Sequence, residues 1–261
     1  ISAVERGQIR PSLGALEKLA ERLQVPLSEL LREDDGLPIP ALSADRGESS
    51  ERLDIEHRLR DGLILSRLNR AQEALEALAR LRHRSLAPNE QLQFHWYLAR
   101  GHAQLGRLDD ARREILEGIA LAERGGDVEL RGWLYLELGM IYSQMRKHQL
   151  ALEQFQVGQD AAEKGLIKDP VFLLHVLYHI GDEYRHLGDL SAAAEALGEA
   201  AILAGDVSNP EFLGTTYAAI GASLINQGDG RRMRAYAVRA AAAFEEASTQ
   251  RLINEIHTRI G

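Results

Sequence analysis

The sequence predicts an all-α protein, a short helical head followed by a solenoid of stacked helix pairs. Three observations carry that expectation. The 261 residues are rich in Ala, Leu, Glu and Arg and only 5% aromatic, a balance that favours helix over strand. From Glu51 onward one pattern of small and apolar residues returns about every forty positions. Apart from Gly125-Gly126 the glycines are scattered singly along the chain, and no glycine-rich phosphate loop is present. The chain has no cysteine, which excludes disulfides, thiolate metal sites and a cysteine nucleophile and suits a reducing, cytoplasmic location. No apolar run is long enough to span a bilayer, so no membrane partner is expected.

The first element runs from Ile1 to Arg6 and ends at Gly7, where a left-handed C-cap is wanted. Pro11-Ser12 starts a second helix, with Ser12 as N-cap. Leu13, Leu16, Leu19, Ala20 and Leu23 follow at three-, four- and seven-residue spacings that give it one apolar face. Pro26 suits the first turn of a third short helix that buries Leu27, Leu30 and Leu31. Three short helices in about 31 residues bury too little surface to fold alone. Residues 1–32 hold five Lys/Arg against four Asp/Glu, so the segment is +1 while the remainder carries −9 of the net −8. Contact with nucleic acid is therefore expected only at the front, because the rest would be repelled by phosphate.

The run Ser2-Ala3-Val4-Glu5-Arg6-Gly7, then Pro11-Ser12, Leu16, Leu19-Ala20, Leu23, Val25-Pro26-Leu27 and Glu29-Leu30-Leu31 resembles the C-terminal half of a Cro/repressor-type (XRE) helix-turn-helix domain. The resemblance implies that Ile1–Arg6 is the end of a recognition helix whose preceding elements are missing. It places Ser2 and Ala3 on the last turn facing the major groove, Ala3 offering only apolar contact. Arg6, Gln8 and Arg10 would lie on the loop beside the backbone, where such contacts position the protein without reading sequence. The implied partner is an operator in double-stranded DNA. Residues 32–50, with two prolines, two glycines and no apolar period, read as a linker stiffened by Pro38 and Pro40.

The repeats occupy 51–261. The clearest unit is Tyr135-x-x-Leu138-Gly139-x-x-Tyr142 followed by Ala151-x-x-x-Phe155. The next is Leu177-x-x-Ile180-Gly181-x-x-Tyr184 with Ala193-x-x-x-Leu197, then Tyr217-x-x-Ile220-Gly221-x-x-Leu224 with Met233 and Ala237. Upstream, His95, Leu98, Ala99, His102, Ala111 and Ile115 fill the same slots, and Gly62, Leu65, Ala74 and Leu78 form a looser first unit in which Arg58 and Asp61 depart. His257-x-x-Ile260-Gly261 begins a sixth unit, so the chain is expected to be cut at both ends. This is the tetratricopeptide (TPR) pattern with Tyr for Trp. The small-residue slot steps by 37, 40, 42, 40 and 40 residues, against about 34 in that family. The excess falls after the second helix of each pair, which predicts about five and a half TPR-like pairs with long second helices. Turns inside the pairs are expected at Asn69-Arg70, Gly106-Arg107, Arg146-Lys147, Gly188-Asp189 and Gly228-Asp229. Gly or Ala in the slot lets the two helices approach closely. No pair covers its own core, so pairs stack.

In that architecture the first helices line a concave wall. Counting from the motif, the second unit offers Gln93, Trp96, Tyr97, Arg100 and Gln104, and the third Trp133, Glu137, Met140 and Gln144. The fourth offers His175, Tyr178, His179, Asp182, Arg185 and His186, and the fifth is plainer, with Thr215, Ala218, Ala222 and Asn226. Rings, amides and charges together suit an extended peptide. The competing reading of Trp96 and Trp133 is packing between pairs. His175, His179, Asp182 and His186 are spaced 4, 3 and 4 and share a face, where two histidines at i and i+4 can chelate zinc. Val176 stands where a metalloprotease would need Glu, so a polar groove floor is favoured and no metal or cofactor is assigned. His95 and His102 read as satisfied core histidines. No serine elbow or catalytic dyad appears, and an enzyme is not expected.

A helix-turn-helix fragment followed by long TPR units is similar to the RRNPP group of peptide-responsive bacterial transcription regulators. The resemblance implies a homodimer on a palindromic site, with a peptide or protein ligand in the TPR groove changing the spacing of the DNA heads. The chain departs from the group in its scarcity of groove asparagines, Asn226 standing alone. The alternative is a TPR protein-interaction scaffold without a DNA role.

Overall fold

The computed structural model describes residues 50–125, 127–207, 209–226 and 228–260. The predicted head, with Ser2, Ala3, Arg6, Gln8 and Arg10, and the linker before Ser50 lie outside the described residues. Ten helices occur among the described residues, and no strand. They are α1 Ser50–Arg67, α2 Ala71–Ala79, α3 Pro88–Gln104, α4 Leu108–Gly125, α5 Val128–Gln144, α6 His148–Glu163, α7 Pro170–Leu187, α8 Leu190–Asp206, α9 Pro210–Asn226 and α10 Gly230–Ile260. Taken in order they form five pairs that match the five full units of the sequence.

All five expected turns are present and built alike. Asn69, Gly106, Arg146, Gly188 and Gly228 adopt positive φ of 54°, 71°, 60°, 86° and 74°. The following N–H reaches back five residues each time: Arg70 to the Leu65 carbonyl, Arg107 to His102, Lys147 to Tyr142, Asp189 to Tyr184 and Asp229 to Leu224, at 2.8–3.1 Å. This is a Schellman closure, which satisfies carbonyls the helix end would otherwise leave bare. Side-chain caps start the helices that follow. Asp127, Asp169 and Asn209 accept from Leu130, Val171 and Phe212 N–H, and Asp189 and Asp229 from Ala192 and Arg232 N–H. Pro88, Pro170 and Pro210 open their helices, where a missing N–H costs nothing.

Two lengths differ from expectation. The second helices α4, α6 and α8 have 18, 16 and 17 residues, but α2 has nine. After Ala79 the chain tightens into i→i+3 bonds, Leu81 to Leu78 and Arg84 to Leu81. Continuing the α-helix would stack Arg80 over Arg84 at i,i+4, and Pro88 disfavours helix at the residue before it. At the other end α10 runs 31 residues without a break. His257 and Ile260 therefore continue the second helix of the fifth pair, and no turn sets them off as a sixth unit.

The chain divides into two compact units, one ending at Leu121 within α4 and one beginning at Ala122. In the first, α2 and α3 pack on α1 and on each other, and Leu59, Ala74, Leu78, Trp96, Ala111 and Ile115 are buried. In the second, α5 to α10 pack each on the next around Trp133, Leu134, Phe155, Phe172, Leu174 and Leu197. Burying a side chain of this size contributes about 1.5–3 kcal/mol. The small-residue slot works as expected in three pairs. A Cβ built on Gly62, Gly139 or Gly181 would lie 2.7, 2.3 or 2.6 Å from Leu78, Phe155 or Leu197. Those three are the large apolar residues that the repeat pattern set in the second helix.

Candidate ligand-binding face

Helix α7 gathers most of the chemistry of the second unit. Asp169 caps it, Pro170 opens it and Gly188 ends it in the left-handed region. Phe172, Leu174, Val176, Leu177 and Ile180 face the core. His175, Tyr178, His179, Asp182 and Arg185, five of the predicted groove residues, are half-buried on the remaining surface.

Their rings form a continuous chain. Trp133 lies edge-on to Phe172 at 5.0 Å and to His175 at 6.2 Å. His175 and Tyr178 both meet Phe212 of α9 edge-on, at 4.8 and 5.3 Å. Tyr178 meets His179 at 5.3 Å, and His179 stacks on Phe155 of α6 at 5.2 Å. Edge-to-face pairs at these distances satisfy the ring quadrupoles and fix the rings relative to one another. Burial pushes His179 down to about 4, the neighbouring His175 acts in the same direction, and Asp182 opposes both. His179 is therefore a neutral aromatic at physiological pH. Burial raises the Tyr178 phenol, with the Asp182 charge adding to it and Arg185 opposing.

Beside the rings lies a polar patch. Arg185 donates to Asp182 Oδ1 from Nε at 3.0 Å and from Nη2 at 2.6 Å. His186 Nε2 sits 3.5 Å from Asp182 Oδ2, and the His186 ring stacks on His148 of α6 at 4.7 Å. His148 Nδ1 is 2.7 Å from Glu183 Oε2, and Glu183 is 1% exposed. The histidines that share one face of α7 thus engage different partners. Among the described residues no group of three or more His, Asp and Glu is arranged to hold a metal ion.

The other predicted residues of this unit divide by depth. Trp133 and Glu137 are buried, at 0% and 7% exposure. Trp133 is packing between pairs, and its indole N–H has no hydrogen-bond partner. Met140 is half-buried and Gln144 exposed. The helix of Asn226 is described but its side chain lies outside the described residues.

In the first unit, Gln93, Trp96 and Tyr97 are buried, at 5%, 1% and 4% exposure, Arg100 is half-buried, and Gln104 is exposed. Counting from the motif gave the correct helix but too shallow a depth for Trp96, Tyr97 and Trp133. Helical spacing fixes direction around one axis and carries no information on what the neighbouring helix covers. Gln104 Nε2 donates to the Ser66 carbonyl at 2.8 Å, tying α3 to the end of α1. Burial raises the Tyr97 phenol despite the opposing charges of Arg67 and Arg100. His95 is satisfied as expected, its Nδ1 2.8 Å from Glu114 Oε2. Burial works to raise Glu114, but the His95 hydrogen bond and the charges of His95, His102 and Arg82 hold it low. His102 corrects the expectation. Its Nδ1 is buried without a partner, and burial lowers its affinity for a proton, with Asp110 and Glu114 opposing.

Glu183 and His148 were missed by sequence reasoning. A signal existed: Glu183 follows Val176 and Ile180 at four- and three-residue spacing, so it shares their buried face. A carboxylate there needs a partner, but sequence could not name His148, 35 residues earlier.

Comparison with known proteins agrees with this architecture. A tetratricopeptide repeat family model matches residues 174–203. No curated protein matches. Bacillus thuringiensis PlcR, solved in complex with the peptide PapR7 and DNA, superposes with TM-score 0.64 at 15% identity, over 97% of this chain and 87% of its own. BtubC from P. vanneervenii gives TM-score 0.65 at 17% identity, over 90% of each chain. A Rap protein complexed with competence and sporulation factor gives 0.64 at 14% identity, over 77% of this chain and 57% of its own. The chain thus carries a tetratricopeptide repeat at 174–203 and shares the all-helical fold of TPR-type solenoids.

Proposed function

We propose that the chain is a DNA-binding transcription regulator whose TPR region binds a peptide or protein segment along the α7 face. The observation that carries the reading is the α7 surface itself. Fixed half-exposed rings, His175, Tyr178 and Phe212, stand beside the Asp182–Arg185 pair. Rings give an extended ligand apolar contact at little entropic cost, and the paired charges give it polar ends to exchange with. Glu137, Met140 and Gln144 on α5 belong to the same proposed face. Gln93, Trp96, Tyr97, Arg100 and Gln104 on α3 are proposed to serve the first unit in the same way, the buried ones as support. Likeness to a protein solved with both a peptide and DNA supports the combination. The DNA half rests on residues 1–31, with Ser2, Ala3, Arg6, Gln8 and Arg10 as proposed contacts and a homodimer as the proposed binding form.

A gel shift on the duplex upstream of the protein's own gene tests this. Wild type is expected to retard it, and Arg6→Ala/Arg10→Ala to lower both affinity and the slope of log K against log salt by about 2 if both arginines touch phosphate. Tyr178→Ala is expected to leave bare DNA binding intact and abolish its response to ligand. A protein that ignores DNA at every salt and ligand condition, yet captures a partner through the α7 face, is a scaffold instead.

A further inference from the structure

The α5/α6 and α7/α8 pairs follow one repeat but are filled differently. Equivalent positions lie 42 residues apart, as Gly139 and Gly181 or Ala151 and Ala193 do. In the α7/α8 pair, Leu173, Leu174, Leu177 and Leu203 pack into one apolar cluster with Ala200 and Ala204. The same four positions of the α5/α6 pair hold Arg131, Gly132, Tyr135 and Ala161. Two leucines are thus reduced to Gly and Ala, and a third is exchanged for a cation. Buried Ile167 recovers part of the lost volume, since a Cβ on Gly132 would lie 2.2 Å from its Cδ1. The rest stays open. Arg131, Gly132, Tyr135 and Ala161 line a cavity of about 220 Å³, and Val157 and Leu166, 45% and 53% exposed, extend its apolar wall to solvent.

The charges around this cavity do not cancel. Asp160 and Lys164 line it 3.3 Å apart and neutralise each other. Arg131 is half-buried, and among the described residues no carboxylate pairs with its guanidinium. Glu123 accepts from the Tyr135 hydroxyl at 3.4 Å and does not line the cavity. The lining therefore carries one cation in excess, set beside an apolar wall. A guanidinium in that position gains most from a planar anion that its fork can hold at two points.

We propose that this cavity binds a carboxylate with a compact apolar body, the body against Val157, Ala161 and Leu166 and the carboxylate on Arg131. Size sets the body. At about 30 Å³ for each water-sized unit, 220 Å³ holds about seven heavy atoms, a phenyl ring or a branched aliphatic group. Charge sets the other end, because a neutral or cationic ligand leaves Arg131 unmatched. This chemistry occurs in a free apolar acid and at the C-terminus of a peptide that ends in a large apolar residue. The cavity shares no residue with the α7 face, so the proposal is independent of the DNA and peptide readings.

Isothermal titration calorimetry on the full chain tests it, with 3-phenylpropanoate as the probe. For a ligand of about eleven heavy atoms a dissociation constant of about 0.1–1 mM is expected. The alcohol 3-phenylpropan-1-ol keeps the ring and loses the charge, and is expected to bind about tenfold more weakly or worse. Arg131→Gln is expected to cost the acid a similar factor. Ala161→Leu restores the residue of the α7/α8 pair and is expected to abolish binding. Both positions are half-buried rather than core, so circular dichroism should match wild type. The tripeptide Gly-Gly-Phe and its C-terminal amide separate the two sources. A free-carboxyl peptide that binds tighter than the acid assigns the site to a chain terminus, and one that binds more weakly assigns it to a small acid. Absence of binding at millimolar acid overturns the proposal. So does equal binding of acid and alcohol, or an affinity unchanged in Arg131→Gln or in Ala161→Leu.

Discussion

Gly139→Ala tests whether the recurring slot is set by helix approach rather than by helix propensity. An alanine in a helix interior is worth about 1 kcal/mol over glycine, so propensity alone predicts stabilisation. The structure predicts the reverse. The added Cβ would lie 2.3, 2.6 and 2.8 Å from three carbons of Phe155, where ordinary contact begins near 3.4 Å. The ring must retreat by about 1 Å, the difference of those distances. Phe155 is fully buried and its ring stacks on His179, so any retreat must displace packed neighbours. Overpacking of this kind costs about 1–3 kcal/mol, which offsets the propensity gain and leaves a net loss of up to about 2 kcal/mol. Two control positions set the scale. At Gly221 the nearest atoms are 3.8 Å away, and at Gly198 nothing lies within 4 Å. Gly198→Ala is expected to stabilise by about 1 kcal/mol, with Gly221→Ala between the two. Differential scanning calorimetry should rank the melting temperatures Gly139→Ala below wild type and Gly198→Ala above it, at about 2–4 °C per kcal/mol. A Gly139→Ala protein that melts at or above wild type would refute the reasoning.

Arg146 holds φ +60° at an exposed turn, where glycine is free of the clash an L side chain suffers, so Arg146→Gly should raise the melting temperature by up to about 1 kcal/mol equivalent. Gly188→Ala, at φ +86°, should lower it by a similar or larger amount. His148→Ala leaves the Glu183 carboxylate buried without its partner, expected to cost about 3 kcal/mol in urea titration. Combining it with Glu183→Leu should cost clearly less than the two single changes added, and strict additivity would show that the pair is uncoupled. His179 is pushed down to about 4 in the folded chain against an ordinary 6.5. The unfolded chain therefore binds the proton first, so stability should fall as pH drops from 6.5 toward 4. His179→Gln should flatten that stretch of a pH–melting curve, and an unchanged slope would assign it to other groups.

By itself the sequence determined the repeat. The spacing of Gly62, Gly139 and Gly181 against Leu78, Phe155 and Leu197 located the helix pairs. The turn residues Asn69, Gly106, Arg146, Gly188 and Gly228 located their joints. Both are local signals, set by 3.6-residue periodicity and by which backbones accept positive φ, and both came out as expected. The tertiary structure decided depth and partnership. It buried Trp96 and Trp133, which helix counting had left open between a ligand face and packing between pairs, coupled Glu183 to His148 and cut α2 short. It also carried α10 on through His257. A residue's direction around its own helix is fixed within a few neighbours, whereas what covers it depends on helices dozens of residues away.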